Sequence, residues 1–350
     1  MRRAASVLAV VVTLALLGAA CSNDGSDGAS TDRPSSEADG GGSGESGGAR
    51  HADDVTALSF NVLHGLFCDP DDTDWCQAPE RIELTYRLIE EAGCPDLVGF
   101  QEIGPRQEEL IVPSLPELCD GEYTLAWDST PGPDREMVLS RLPIVDQAPV
   151  DLANFPWAAY WVRVESDVGP VDFLTTHMAS SSNNPVCTPE ICPPVCEAGI
   201  TTNECNAIEV VEFLDERREP EGITIASGDL NAPPGSSTLT TFTDAGYVDT
   251  WLEAGNAECD PGTGDGCTGG TGTVDDTAIV NEAAIEYTGR IDYVLVMARN
   301  DCDVRLDGPR DRDDDKTSTG VFAEDPVDDG PGGIVLASDH RGVQADLSCA

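Results

Sequence analysis

The run Ile223-Thr224-Ile225-Ala226 is apolar and β-branched, and Gly228-Asp229-Leu230-Asn231-Ala232-Pro233-Pro234 ends it abruptly. β-Branched residues fit a buried strand, and glycine and proline punctuate it. Asp229 and Asn231 lie two apart, so a continued strand points both the same way at its mouth. A carboxylate beside an amide can divide one task. The carboxylate takes a proton from water, and the amide orients the water or the anion it attacks. Asp and Asn are also ordinary turn formers, and on this segment alone the turn reading stands ahead.

The same arrangement recurs along the chain: an apolar strand, then one polar residue of catalytic type. Val55 to Leu63 carries Asn61 near its end, and Pro95 to Ile103 carries Glu102. Trp161–Val164 and Val171–Met178 read as a hairpin whose second strand carries His177. Arg290 to Val296 has Asp292 near its start, and Asp339-His340 precede an alternating strand that runs to Leu347. An amide oxygen such as that of Asn61 suits a hard cation. A carboxylate such as Glu102, after an apolar run, is costly unless paired or bound to a cation. Further strands are expected at Tyr123–Trp127, at Glu136–Ser140 and from Ile144. Helices are expected from Pro79 to Ala92, stopped by Gly93, and from about Asn203 to Arg218. Strand, helix and strand in succession open a layered α/β domain.

Composition limits the partners. The chain has 350 residues, a formal net charge of -46 and a single lysine, Lys316. Such a surface repels nucleic acid at long range and lacks a basic stripe. It does not exclude a nuclease, which needs only a local cationic cleft and a metal, and salt shortens the repulsion. Arg135 is a candidate phosphate contact, with pairing to a nearby acid as the plainer reading. Asp69, Asp71, Asp72 and Asp74 fall short of the EF-hand pattern and read as a solvated loop. His51 and His64 read as tether and surface-loop residues.

Met1-Arg2-Arg3 and the apolar run Ala4–Ala20 read as a signal peptide over residues 1–20. The ending Leu16-Leu17-Gly18-Ala19-Ala20-Cys21 resembles a bacterial lipobox, with Cys21 the lipidated first residue of the mature chain. Residues 21–54 read as a disordered Gly/Ser/Asp tether, and 55–350 as one domain. Of 13 cysteines, those other than Cys21 are even in number, which in an exported chain points to disulfides. The simplest pairings are Cys68–Cys76, Cys259–Cys267 and bonds within Cys187–Cys205. A zinc cluster in that last stretch lacks histidine and is disfavoured in an oxidising compartment.

The ordered set Ser59-Phe60-Asn61-Val62, Val98-Gly99-Phe100-Gln101-Glu102, Thr176-His177, Gly228-Asp229-Leu230-Asn231, Arg290-Ile291-Asp292-Tyr293 and Ser338-Asp339-His340 resembles the endonuclease/exonuclease/phosphatase superfamily. The resemblance implies a DNase I-like four-layered α/β sandwich, with two packed, mainly antiparallel sheets flanked by helices. It implies phosphoester hydrolysis with Mg2+ (or Mn2+ or Ca2+), by in-line attack of water. Asn61, Glu102 and Asp339 would hold the metal. Asp229, aided by Asn231, would activate the water, while His177 and His340 would bind the phosphate and Asp292 would orient His340. Two histidines look more like the DNase I and sphingomyelinase branches than the abasic-site repair branch.

The expected partners are a phosphodiester substrate, nucleic acid or a phospholipid headgroup, and a membrane reached through the lipid anchor. The expected state is a monomer on the outer face of the cell membrane, or secreted. A lipid substrate calls for exposed aromatics, for which Phe155, Trp157, Tyr160 and Trp161 are candidates, with core packing the competing reading. The opposing classes are a catalytically inactive binding module on the same fold and a calcium-binding adhesion domain.

Overall fold

In the computed structural model of the chain, the described residues are 54–63, 77–128, 135–154, 158–271, 285–297, 304–305, 319–327 and 330–349. The signal peptide, Cys21, the tether, His64, the Asp69–Asp74 loop, the Cys68–Cys76 pairing, Phe155 and Trp157 lie outside them. Strands are numbered in chain order. The first sheet holds β1 (Asp54–Asn61), β2 (Leu97–Gln101), β3 (Thr124–Trp127), β4 (Met137–Ser140), β13 (Val304–Arg305), β14 (Gly320–Phe322) and β15 (Gly342–Cys349). Its order is β13-β15-β1-β2-β4-β3, with β14 also on β15. The second holds β5 (Ile144–Asp151), β6 (Ala158–Ser166), β7 (Gly169–His177), β8 (Ile223–Asp229), β9 (Val248–Asp249) and β12 (Asp292–Met297). Its order is β5-β6-β7-β8-β12-β9. Each sheet is antiparallel apart from one parallel pair, β1 with β2 and β7 with β8. A small hairpin, β10 (Gly269–Thr271) with β11 (Glu286–Gly289), stands apart.

Three apolar clusters define four layers. Between the sheets, Val55, Ala57, Leu97 and Val138 meet Val162, Phe173, Ile225 and Val294. Outside the first sheet, α1 (Ala78–Glu91) and α2 (Pro105–Ser114) pack Ile82, Ile89 and Ile111 on Leu58, Phe60 and Phe100. Outside the second, α3 (Thr202–Arg217) and α4 (Ser237–Asp244) pack Val210, Leu214 and Phe242 on Trp161, Leu174 and Leu295. This is the expected helix–sheet–sheet–helix sandwich. Tyr160 and Trp161 are buried, so the core reading holds for both.

Strand parity then decides where the polar residues go. Val55 and Ala57 of β1 face the second sheet, while Leu58 and Phe60 face the helices. Asn61 shares the parity of Val55 and so faces inward. By the same count His177 follows Val171 and Phe173, Asp229 follows Ile223 and Ile225, and Asp292 precedes Val294 and Val296. All four lie on inner faces at one end of the sandwich.

Four disulfides lie among the described residues: Cys94–Cys119, Cys187–Cys192, Cys196–Cys205 and Cys259–Cys267. Cys259–Cys267 and the two bonds within Cys187–Cys205 match the local expectation. Cys94–Cys119 is a longer connection that ties the end of α1 to the turn after α2.

Gly228 sits where no side chain fits. Its φ is 143°, and an added Cβ would lie 1.9 Å from the Thr176 carbonyl oxygen on the parallel neighbour β7. Gly228→Ala is expected to lower stability by about 2–4 kcal/mol. Gly93→Ala, whose φ is also positive but whose Cβ meets nothing within 4 Å, is expected to cost about 1 kcal/mol of backbone strain. Denaturant titrations of the two variants check this; equal losses would refute the steric account.

Candidate active site

Strand register builds the first half of the site. His177 pairs with Asp229 across the parallel β7–β8 ladder, and Asp229 pairs with Asp292 across the antiparallel β8–β12 ladder. Three inward side chains therefore stand in a row. His177 Nε2 lies 3.5 Å from Asp229 Oδ2. The second half comes from the other sheet. The ends of β1 and β2 bring Asn61 and Glu102, and the turn before β15 brings Asp339 and His340. Asn61 Nδ2 donates to Glu102 Oε1 at 3.0 Å and to Asp229 Oδ2 at 3.1 Å, so it joins the two halves. Its Oδ1 accepts the Leu63 N–H at 3.0 Å.

His340 closes the row. Its Nδ1 lies 3.1 Å from Asp292 Oδ2, and its Nε2 lies 3.7 Å from Asp229 Oδ2. Burial alone lowers its basicity, but the charges of Asp292 and Asp229 overcome this and raise its pKa well above the ordinary value. An imidazole oriented by one carboxylate at Nδ1 presents Nε2 as the working nitrogen. Asp229 is 1% exposed, and burial pushes its pKa up to about 6 against the pull of His340 and His177. It is a carboxylate poised to exchange a proton near neutrality.

The strand does not continue to Asn231. It ends at Asp229, and Asn231 takes a left-handed φ of 49°. Its backbone N–H donates to Asp229 Oδ1 at 2.9 Å and its Nδ2 to the Met178 carbonyl at 3.0 Å. Asn231 therefore braces Asp229 and the neighbouring loop through its N–H and its Nδ2. This corrects the continued-strand expectation. An Asx-type bond two residues back is what turn-forming residues do, so the turn reading holds for this segment.

Glu102 and Asp339 form an acidic pair beside this row. Glu102 has a left-handed φ of 62°, which turns it off the parity of β2, where Phe100 faces the helices. Burial raises the pKa of Asp339, and the charge of Glu102 raises it further. The two carboxylates, the Asn61 amide and the His177 imidazole, whose Nε2 lies 4.0 Å from Glu102 Oε1, fit a hard divalent cation: Glu102, His177 and Asp229 place their ligand atoms within 4.8 Å of one another. Holding it through the Asn61 oxygen requires that amide to turn over, because Nδ2 faces the carboxylates here.

Sequence reasoning missed Arg81. It is 1% exposed and donates to the carbonyls of Val62 (2.6 Å) and Leu63 (2.8 Å). Burial lowers its pKa to about 10, with Asp339 and Glu102 opposing the fall, so it stays charged behind both acids. Its signal was a cation on the buried stripe Arg81-Thr85-Ile89 of α1. Thr268 was also missed. Its hydroxyl accepts the N–H groups of Ile291 and Asp292, both at 3.0 Å, and its carbonyl accepts that of Arg341. It ties the Asp292 strand to the His340 turn. Arg135 is paired with Glu108 at 2.7 Å, as the plainer reading held.

Residues 58–340 match the profile of the Endonuclease/Exonuclease/phosphatase family. No curated protein matches the chain. The endonuclease/exonuclease/phosphatase from Bacteroides vulgatus aligns with a TM-score of 0.56 and 16% identity, over 85% of this chain and 99% of its own. D. rerio TDP2 complexed with single strand DNA product gives 0.55 and 16%, over 84% and 99%. TDP2 from C. elegans gives 0.53 and 14%, over 85% and 75%. These likenesses carry the fold, and the profile match runs from β1 to the His340 turn: the chain belongs to the endonuclease/exonuclease/phosphatase family.

Proposed function

We propose that the chain is a divalent-cation-dependent hydrolase of phosphodiesters that uses direct attack by water. The observation that carries this is the row His177–Asp229–Asp292–His340 standing against the acidic pair Glu102 and Asp339. Asp229 takes the proton of the attacking water. His340, held by Asp292, and His177 donate hydrogen bonds to phosphoryl oxygens as negative charge builds on them. Glu102, Asp339 and a turned Asn61 would hold the cation, which when bound would polarise the phosphoryl group and stabilise the leaving oxygen. No serine or cysteine nucleophile is required.

The substrate belongs to nucleic acid or to a phospholipid headgroup. The D. rerio TDP2 structure with its single strand DNA product supports the first. The second is weakened because Tyr160 and Trp161, two of its candidate membrane contacts, are core residues. The chain is also proposed to be exported and held at the membrane through Cys21.

The protein is expected to cleave bis-p-nitrophenyl phosphate with magnesium and to stop when a chelator is added. Plasmid DNA and sphingomyelin, assayed in parallel, identify the branch. Asp229→Ala and His340→Ala are each expected to cost roughly a hundred- to ten-thousandfold in kcat while remaining folded. A folded wild type that cleaves nothing with any divalent metal would sink the proposal in favour of a binding module.

Glu102→Gln removes one charge from the cation site. It is expected to raise the magnesium concentration for half-maximal activity at least about tenfold. An unchanged magnesium titration would remove Glu102 from the ligand set.

The same burial that tunes Asp229 costs stability. Its pKa is raised from 3.8 to about 6, so folding favours the protonated form. That contribution is complete below pH 3.8 and lost as pH rises through about 6. With chelator present, Asp229→Asn is therefore expected to gain stability relative to wild type between pH 4 and pH 7 while losing activity. Thermal melts across that range decide it, and a gap that narrows with rising pH would contradict the assignment.

A further inference from the structure

The disulfide-bonded segment between β7 and α3 has no part in the chemistry above. Yet it delivers one side chain to the base of the site. Asn203, in the first turn of α3, is 4% exposed. Its Nδ2 donates to the Ala179 carbonyl at 2.8 Å and to the Leu230 carbonyl at 2.8 Å. Ala179 lies two residues after His177, and Leu230 directly follows Asp229. One amide group thus bridges the loops that leave the two strands carrying these side chains. The hydroxyl of Thr238, on α4, donates to Asn203 Oδ1, which fixes the amide so that its nitrogen faces both carbonyls.

The surroundings hold this bridge in place. Asn206, one turn on and fully buried, accepts the Ala179 N–H at 3.1 Å and donates to the Ala153 carbonyl at 3.1 Å. Ala179 is therefore gripped at both its N–H and its carbonyl. The Asn203 N–H is one of the unpaired donors of a helix start, and Asn184 Oδ1 of the insertion accepts it at 2.9 Å. The insertion closes on the helix through the Cys196–Cys205 bond, the Val186–Thr201 bridge and the Thr202 N–H bond to Pro185.

We propose that Asn203 is a positioning residue that sets the distance between His177 and Asp229, and that the insertion serves to hold it. This rests on the reading of these two groups as the phosphate-binding and water-activating residues. A buried two-carbonyl clamp also carries a penalty when broken, since it leaves two buried acceptors unpaired. Small displacements of reacting groups cost large factors in rate.

The test uses the whole chain with magnesium and bis-p-nitrophenyl phosphate. Asn203→Ala is expected to lower kcat roughly ten- to a hundredfold with KM changed less than about twofold. Thr238→Val is expected to show the same pattern more weakly, and Thr238→Ser to restore wild-type kcat. Hydrogen exchange supplies a readout independent of activity. The Met178 and Leu230 amides, bonded to the Asp229 and Ile291 carbonyls, are expected to exchange at least about tenfold faster in Asn203→Ala, with β6 and β12 unchanged. If exchange and kcat both stay within twofold of wild type, or if Thr238→Ser is as impaired as Thr238→Val, the inference fails. If the wild type cleaves nothing, the functional reading falls, while the exchange of these amides still decides whether Asn203 clamps the loops.

Discussion

A carboxylate buried as deeply as Asp229 is expensive, and the site is arranged around that expense. Leaving it ionised and unpaired in an apolar interior would cost several kcal/mol. Two imidazoles, the Asn61 amide and the Asn231 N–H offset the cost. They do so incompletely, because the pKa still ends near 6. Asp292 is a second carboxylate in the same row, and His340 bridges the two, with Nδ1 on Asp292 and Nε2 toward Asp229. Each member thus depends on the others, and such a set behaves as a unit rather than as a sum of contacts.

Backbone geometry brings the unit together before any side chain interacts. A period of two and an unbroken register place His177, Asp229 and Asp292 side by side, and one slipped residue would send all three toward the helices. Gly228 protects that register, since the parallel strand leaves no space for a Cβ there. Beneath the row, Gln101 Nε2 donates to Ser59 and to Thr175, linking the two sheets under the site. The end of the sandwich is therefore polar by construction, while its middle is sealed by valine, isoleucine and phenylalanine.

Much of this was legible in the chain because strands advertise themselves through β-branched runs, and one polar residue at the end of such a run is conspicuous. Asn61, Glu102, His177 and Asp229 have that signature, and Asp292 stands at the opening of its run instead. Asp339 and His340 stood out as paired polar residues before an alternating strand. Asn231 was legible as a turn former but not in its direction, since a left-handed residue leaves no mark on periodicity. Arg81 and Thr268 were hidden for another reason. Their tasks are set by groups eighteen or more residues away, and a local pattern does not encode such partners. The amide of Asn203 was hidden likewise: a polar residue near a helix start reads as a cap or a solvated turn.

The disulfides fit the same division. Three of them close separations of only 5, 9 and 8 residues. Loops so short constrain the unfolded chain less than long ones, so their contribution to global stability is the smaller part of their effect. What they order is local. Cys196–Cys205 joins the insertion to the first turn of α3, and Cys259–Cys267 ends one residue before Thr268. Both bonds therefore lie next to residues that bind the backbone of the catalytic row, in small apolar clusters of their own outside the three that build the sandwich. In a sandwich whose middle is already dense, covalent links gain most where loops outside it must hold a fixed geometry with only a small cluster of apolar side chains to bury.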